Sequence, residues 1–300
     1  MNEFIQHTIN GLALGSIYAL VALGYTMVFG VLQLINFAHG DIFMVGSFVG
    51  LYFIRWFMPN VEPSLLTTII VILVAMVGSA TVGVIIEKFA YRPLRKAPRI
   101  NILITAIGVS LLLEYGGQLI FGASPQFFPD ILPRKQIDLG GAIYLDSNQV
   151  TIFLVSFVLM LVLQFLVFKT QFGRAMRAIS HSLETANLIG INVNKVILIT
   201  FIIGSSLAGA AGVLYGVAYP KIDPLLGLLP GLKAFIAAVL GGIGNVTGAV
   251  IGAILLGLSE TYVAGYISST YRDALAFLIL ILVLLLRPAG LLGTKKIEKV

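Results

Sequence analysis

The stretch Ile35-Asn-Phe-Ala-His-Gly-Asp41 sets an amide, an imidazole and a carboxylate (Asn36, His39, Asp41) between two long apolar runs. Side chains of these types bind polar solutes, relay protons or ligate metals. Ligation needs more donors nearby, and the other histidines, His7 and His181, are too scattered in sequence to complete a chelating set, so no metal site is expected. Glu114 and Gln118, one helical turn apart in SLLLEYGGQLI, and Glu260 also fall inside apolar segments. A charge at the centre of a bilayer costs about 2.5 to 3.5 kcal/mol on insertion scales, so each carboxylate must sit at a span end, in a water-filled cavity or beside a partner. Two readings are open for Asn36, His39 and Asp41: a polar turn between two helices with Gly40 making the bend, or a functional cluster. For Glu114, Gln118 and Glu260 the alternatives are a cavity lining or hydrogen bonds that join neighbouring helices.

The elements that must position these groups follow from composition. Of 300 residues, 58% are hydrophobic and 11% charged, with mean hydropathy +1.01, whereas a soluble domain is about a quarter charged. The fold class expected is an all-α polytopic membrane protein, with residues 1–300 forming a single transmembrane domain. Helices are required because a strand with open edges leaves backbone N–H and C=O groups unpaired in lipid. The chain has no cysteine, so neither disulfides nor thiolate chemistry contribute. The opening MNEFIQHTIN has no Lys or Arg before its apolar run and no cleavage site of small residues, so the first span is expected to be retained.

A span needs roughly 20 apolar residues. Candidates run near 8–30, 36–56, 64–86, 101–121, 149–168, 196–218, 246–266 and 272–288. The shorter, glycine-broken segment 229–245 is expected to re-enter or to form a ninth span. Glycines four residues apart, Gly11 with Gly15, Gly46 with Gly50, Gly212 with Gly216, and Gly244 with Gly248 and Gly252, are expected to let helix backbones approach closely.

Basic residues concentrate in three places: Lys88 to Arg99, Lys169 to Lys195, and the tail from Arg287 to Lys299. By the bias of Lys and Arg toward cytoplasmic loops these three segments are expected inside, and with them the C-terminus. Counting back from the first of them puts the N-terminus outside. The pI near 9.5 is accordingly a topology signal, and no nucleic-acid partner is expected.

Enzyme signatures are missing. The sequence holds no G-x-x-x-x-G-K-[ST] phosphate loop, no H-E-x-x-H and no G-x-S-x-G, so neither an enzyme nor a bound cofactor is expected. The loop of about residues 169–195 is more informative. Gly173 is expected to break the end of a span, with Arg174 and Arg177 one turn apart. Ser182 is placed to cap a short helix with Glu184 in its first turn, Leu183, Ala186, Leu188 and Ile189 supply apolar positions, and Gly190 follows as a stop. The result is a short amphipathic helix between spans, either a solvated loop or a docking element.

Four stretches together carry a resemblance: GYTMVFGVLQLINFAHGDIFMVGSF, AYRPLR, GRAMRAISHSLETANLIGINVNKV and AFIAAVLGGIGNVTGAVIGAILLGLSE. In this order, and over essentially the whole chain, the sequence resembles the permease subunits of bacterial branched-chain amino-acid ABC transporters, most closely the smaller, H-type permease. The resemblance implies residence in the bacterial inner membrane, a second homologous permease subunit, two cytoplasmic ATPase subunits and an external substrate-binding protein. It further implies that Asn36, His39 and Asp41 lie near a substrate pathway, for which Glu114, Gln118 and Glu260, buried by position, are the other candidate residues. It implies that Gly173, Arg174, Arg177, Ser182, Leu183, Glu184, Ala186 and Gly190 belong to the loop that couples to an ATPase. The alternatives are a related importer permease for urea or short amides, and a stand-alone carrier with Glu114, His39 and Asp41 as a proton relay.

Overall fold

Apolar runs of about twenty residues satisfy their backbone only by coiling. In the computed structural model, which describes residues 2–60, 62–95, 97–138, 140 and 143–293, every such run does so. Lys96 and the tail lysines 295, 296 and 299 of the topology reading lie outside the described residues, as does the C-terminus. The helices in chain order are α1 (Asn2–Leu32), α2 (His39–Phe57) and α3 (Leu65–Ile86), which continues through a π turn (Glu87–Tyr91) into α4 (Arg92–Leu94). After these come α5 (Arg99–Phe121), α6 (Ser147–Lys169), α7 (Gln171–His181), α8 (Leu183–Leu188) and α9 (Val193–Ala218). The last are α10 (Leu228–Gly241), α11 (Val246–Tyr266) and α12 (Arg272–Leu286). Four short strands, β1 (Gln126–Phe127), β2 (Gln136–Asp138), β3 (Tyr144–Asp146) and β4 (Lys221–Ile222), pair antiparallel as β1–β4 and β2–β3.

Among the described residues, eight helical segments are long and apolar enough to cross a bilayer, matching the eight expected spans. Local signals set their starts. Ser64, Asp146, Asn192 and Asn245 each accept a backbone N–H in the first turn of the helix that follows, and Asp146 with Gln149 completes a capping box. The central helix is α1, apolar all round and almost wholly buried among α6, α9, α10 and α11, whereas α5, α6 and α12 lie on the outside with large apolar side chains exposed.

The two ends of the bundle are distinct. At one, Gln33 after α1 donates to the Ser180 carbonyl of α7, Arg95 donates to Asn194 at the start of α9, and Asn245 donates to the Leu292 carbonyl. This end carries the described basic residues of all three clusters. At the other, Tyr144 N–H donates to Gln6, Arg55 donates to Gln126, and Ser64 N–H donates to the Ile131 carbonyl. The segment around α10 joins the two ends. β4 pairs with β1 at the non-basic end, while the Leu240 and Gly241 carbonyls accept from Leu291 and Leu292 at the basic end. The 14-residue α10 is about 21 Å long, too short for a bilayer core of about 30 Å, so residues 223–227 complete the crossing as irregular backbone. The segment thus makes a ninth crossing as a half-helix rather than re-entering.

Helix contacts explain most of the spaced glycines. A Cβ on Gly257 of α11 would sit 2.5 Å from the Gly15 nitrogen of α1, and one on Gly46 of α2 would sit 2.5 Å from Gly209 of α9. Gly244 departs from the expectation: it lies in the turn between α10 and α11, not in a span.

Candidate functional site

Residues 33–38 leave α1 at the basic end and turn back into the bundle, where α2 starts with His39, Gly40 and Asp41 buried beside α1 and α10. The turn itself is made by Gln33 at φ +53. Gly40 does not supply the bend that the sequence suggested. It sits in the first turn of α2, and a Cβ there would meet the Gly227 carbonyl at 2.5 Å, so its missing side chain lets the start of α2 touch the start of α10. Asn36 remains in the turn and accepts a hydrogen bond from the Tyr91 hydroxyl at 2.8 Å.

Asp41 falls in the first turn of α2, where the helix dipole favours an anion. Ser110 of α5 donates to its Oδ2 at 2.5 Å, and Glu114, one turn further along α5, is also buried and close enough for the two carboxylates to interact. The structure therefore brings Asp41, Ser110 and Glu114 together. It does not add His39, whose ring meets Tyr25 edge-on at 4.7 Å and whose Nε2 is buried against Gly24 without a partner. Gln118 is half-buried, and its side chain makes no hydrogen bond among the described residues.

Glu260 stands apart from that group. On α11 it is fully buried, accepts from Lys233 Nζ at 3.0 Å and from the Tyr18 hydroxyl at 3.2 Å, and Lys233 also reaches Asp273 of α12 at 2.7 Å. Lys233 is the residue that sequence reasoning missed. A lysine inside the apolar run GLKAFIAAVLG requires an anionic partner, and that alone was a usable signal.

The loop of residues 169–195 forms two helices instead of one. Gly173 does not end a span: α6 stops at Lys169, and Thr170 caps α7 by accepting the Gly173 N–H. Gly173 lies against the end of α6, where a Cβ would meet the Val167 carbonyl at 1.9 Å, and Arg177 donates to that same carbonyl. Arg174 is exposed. Ser182 caps α8 through the Thr185 N–H, as expected, and Glu184 is exposed in its first turn.

Gly190, at φ +85, closes α8. Its N–H donates to the Asn187 carbonyl and that of Ile191 to the Ala186 carbonyl, the pair of bonds that defines a Schellman stop. Ala186 is 1% exposed and packs inward, so it is not part of an open apolar face. That face consists of Leu183, Leu188 and Ile189, at 42%, 87% and 68% exposure.

Next to this loop Arg95 is ion-paired with Glu87; burial lowers its guanidinium pKa from the ordinary value and the Glu87 carboxylate opposes that shift. Among the described residues, no three His, Asp or Glu side chains are grouped to hold a metal ion.

Comparison with known sequences adds a family to this geometry. Residues 7–284 match the family described as branched-chain amino acid transport system / permease component. The chain is 41% identical over 303 residues to the high-affinity branched-chain amino acid transport system permease protein BraD of Pseudomonas aeruginosa, covering 99% of this chain and 98% of the relative. It is 40% identical over 301 residues to LivH of Escherichia coli (strain K12), a permease protein with the same printed description, at the same coverage. A probable branched-chain amino acid transport permease protein of Methanocaldococcus jannaschii is 28% identical, over 95% of this chain and 91% of its own.

Proposed function

Since the chain belongs to the family of branched-chain amino acid transport system permease components, we propose that it is the membrane-spanning permease subunit of an ATP-driven importer for branched-chain or other small apolar amino acids. It forms half of a translocation pathway with a second homologous permease. Two ATPase subunits dock on its basic end, and a substrate-binding protein delivers solute to the other. With the positive-inside bias, the basic end faces the cytoplasm and the C-terminus lies there. The chain itself performs no hydrolysis.

The observation that carries this reading is the α7–α8 loop, a capped pair of helices at the basic end that leaves Leu188 and Ile189 open to a partner. A self-sufficient carrier has no use for such an element. The proton-relay alternative also lacks a path, because no hydrogen bond among the described residues links His39 to Asp41 or Glu114. Asp41, Ser110 and Glu114 are assigned to the pathway side of the subunit. Glu260 is reassigned to a structural ion-pair network.

Two measurements test this. Proteoliposomes holding both permeases and the ATPases, supplied with the cognate binding protein and internal ATP, should accumulate leucine, isoleucine or valine; no ATP-dependent accumulation of any small apolar amino acid rejects the assignment. In the same system Asp41→Asn should lower the uptake rate by about tenfold, with normal recovery of the assembled complex, because it removes the acceptor charge of the Ser110 hydrogen bond. Unchanged uptake returns Asp41 to a helix-start residue with no transport role.

A further inference from the structure

At the non-basic end, α1, α6, α11 and the start of α12 enclose a half-open cavity of about 490 Å³. None of the polar groups assigned above to the pathway lines it. Its floor is apolar, with Leu14 and Ile17 of α1 and Ile152 of α6. Its walls carry opposite polar capacities. Arg272, at the first position of α12, lines the cavity, forms no ion pair within 4 Å among the described residues, and has a buried Nε without a hydrogen-bond partner. Asn148 also lines it, is 8% exposed, and has a buried Oδ1 without a partner. Asp146 sits beside Asn148 with its carboxylate at the same wall.

A buried donor or acceptor without a partner loses its hydration with nothing in exchange. The fold keeps one of each on residues that line the same cavity, and the donor belongs to a guanidinium. Both nearby carboxylates, Glu260 and Asp273, have Lys233 as their ion-pair partner, and Arg272 acts on Glu260 only at longer range, so its guanidinium N–H groups are left without a carboxylate to bond. The nearby Tyr219 hydroxyl does not meet that need: burial raises its pKa, with the Arg272 charge opposing the rise, so it stays a neutral phenol.

We infer that this cavity is an outer subsite for a zwitterionic, apolar amino acid, with the α-carboxylate on Arg272, the ammonium on the Asn148 amide oxygen and Asp146, and the aliphatic side chain on Leu14, Ile17 and Ile152. The inference rests on the importer reading and adds to it a point at which the permease, and not only a delivery protein, recognises substrate. A guanidinium matches a carboxylate in two parallel hydrogen bonds, which a lysine cannot reproduce. The volume is ample for one leucine, and an amino acid of this kind leaves no polar atom to be buried against the aliphatic floor.

The test uses the assembled complex in nanodiscs without binding protein, and two probes: L-leucine, and leucinol, which lacks the carboxylate. Wild type should bind leucine saturably and leucinol at least about tenfold more weakly. Arg272→Gln should weaken leucine to the leucinol level and leave leucinol unchanged. Ala264→Trp, which fills the cavity without touching its charges, should weaken both probes and so guards against a general loss of folding at position 272.

Equal leucine affinity in wild type and both variants overturns the subsite, as does a wild type without saturable binding. Wild-type uptake assayed alongside, with binding protein and ATP, keeps the two claims separate. Uptake without direct binding rejects the subsite alone, and absence of uptake rejects the importer reading.

Discussion

Replacing Leu188 and Ile189 together by serine should leave the chain folded and inserted, yet abolish ATP-driven uptake. Both side chains stand largely open at the end of α8, and no other described residue covers them. Burying each against an ATPase surface would contribute about 1.5 to 3 kcal/mol, so removing both weakens docking by roughly 3 to 6 kcal/mol, two to four orders of magnitude in affinity. The variant subunit should reach normal levels in the membrane, fail to retain the ATPases on purification, and show no stimulated hydrolysis. Full retention of the ATPases with normal uptake moves the docking surface elsewhere, with the basic segment around Arg92 and Arg95 next in line. Ala186→Asp is the wrong reagent for this question. Ala186 is already packed inside the subunit, so an aspartate there would fail within the fold before any partner was met.

Replacing Lys233 by methionine should strongly destabilise the bundle. Lys233 lies between Glu260, which is fully buried, and Asp273, which is half-exposed. Removing one partner of a buried ion pair leaves a charge without compensation and costs about 3 to 5 kcal/mol. Glu260 would then keep only the Tyr18 hydroxyl, and its Oε1 already has no partner. Asp273→Asn should cost far less, since Asp273 remains near water and Lys233 keeps Glu260. The double variant Lys233→Met with Glu260→Gln should recover much of the loss by removing both charges. The measurement is the apparent unfolding midpoint of the detergent-solubilised protein. Equal midpoints for Lys233→Met and Asp273→Asn would show that the inner half of this network contributes nothing.

The amino-acid sequence by itself determined the medium, the helical class and the positions of the eight spans, because a bilayer requires about twenty apolar residues per crossing and a satisfied backbone throughout. It also determined where α8 begins and ends. Ser182 and Gly190 act through their own local backbone bonds, which depend on no distant contact.

What faces what was decided only by tertiary structure. Leu, Ala and Ile are equally at home in lipid and in a helix interface, so apolar patterning in a membrane span does not tell an inward face from an outward one. The loop helix α8 shows the same limit outside the spans: Ala186 and Leu188, two residues apart, were read alike and end on opposite sides, because which face of a short helix packs inward depends on contacts distant in the chain. Polar residues were found by type, but their partners lie far away in the chain. Asp41 meets Ser110 across 69 residues and Glu260 meets Tyr18 across 242. Gly40 was read as a local bend because a glycine's own sequence context cannot show that another backbone, here that of Gly227, approaches to within the space a methyl group would need.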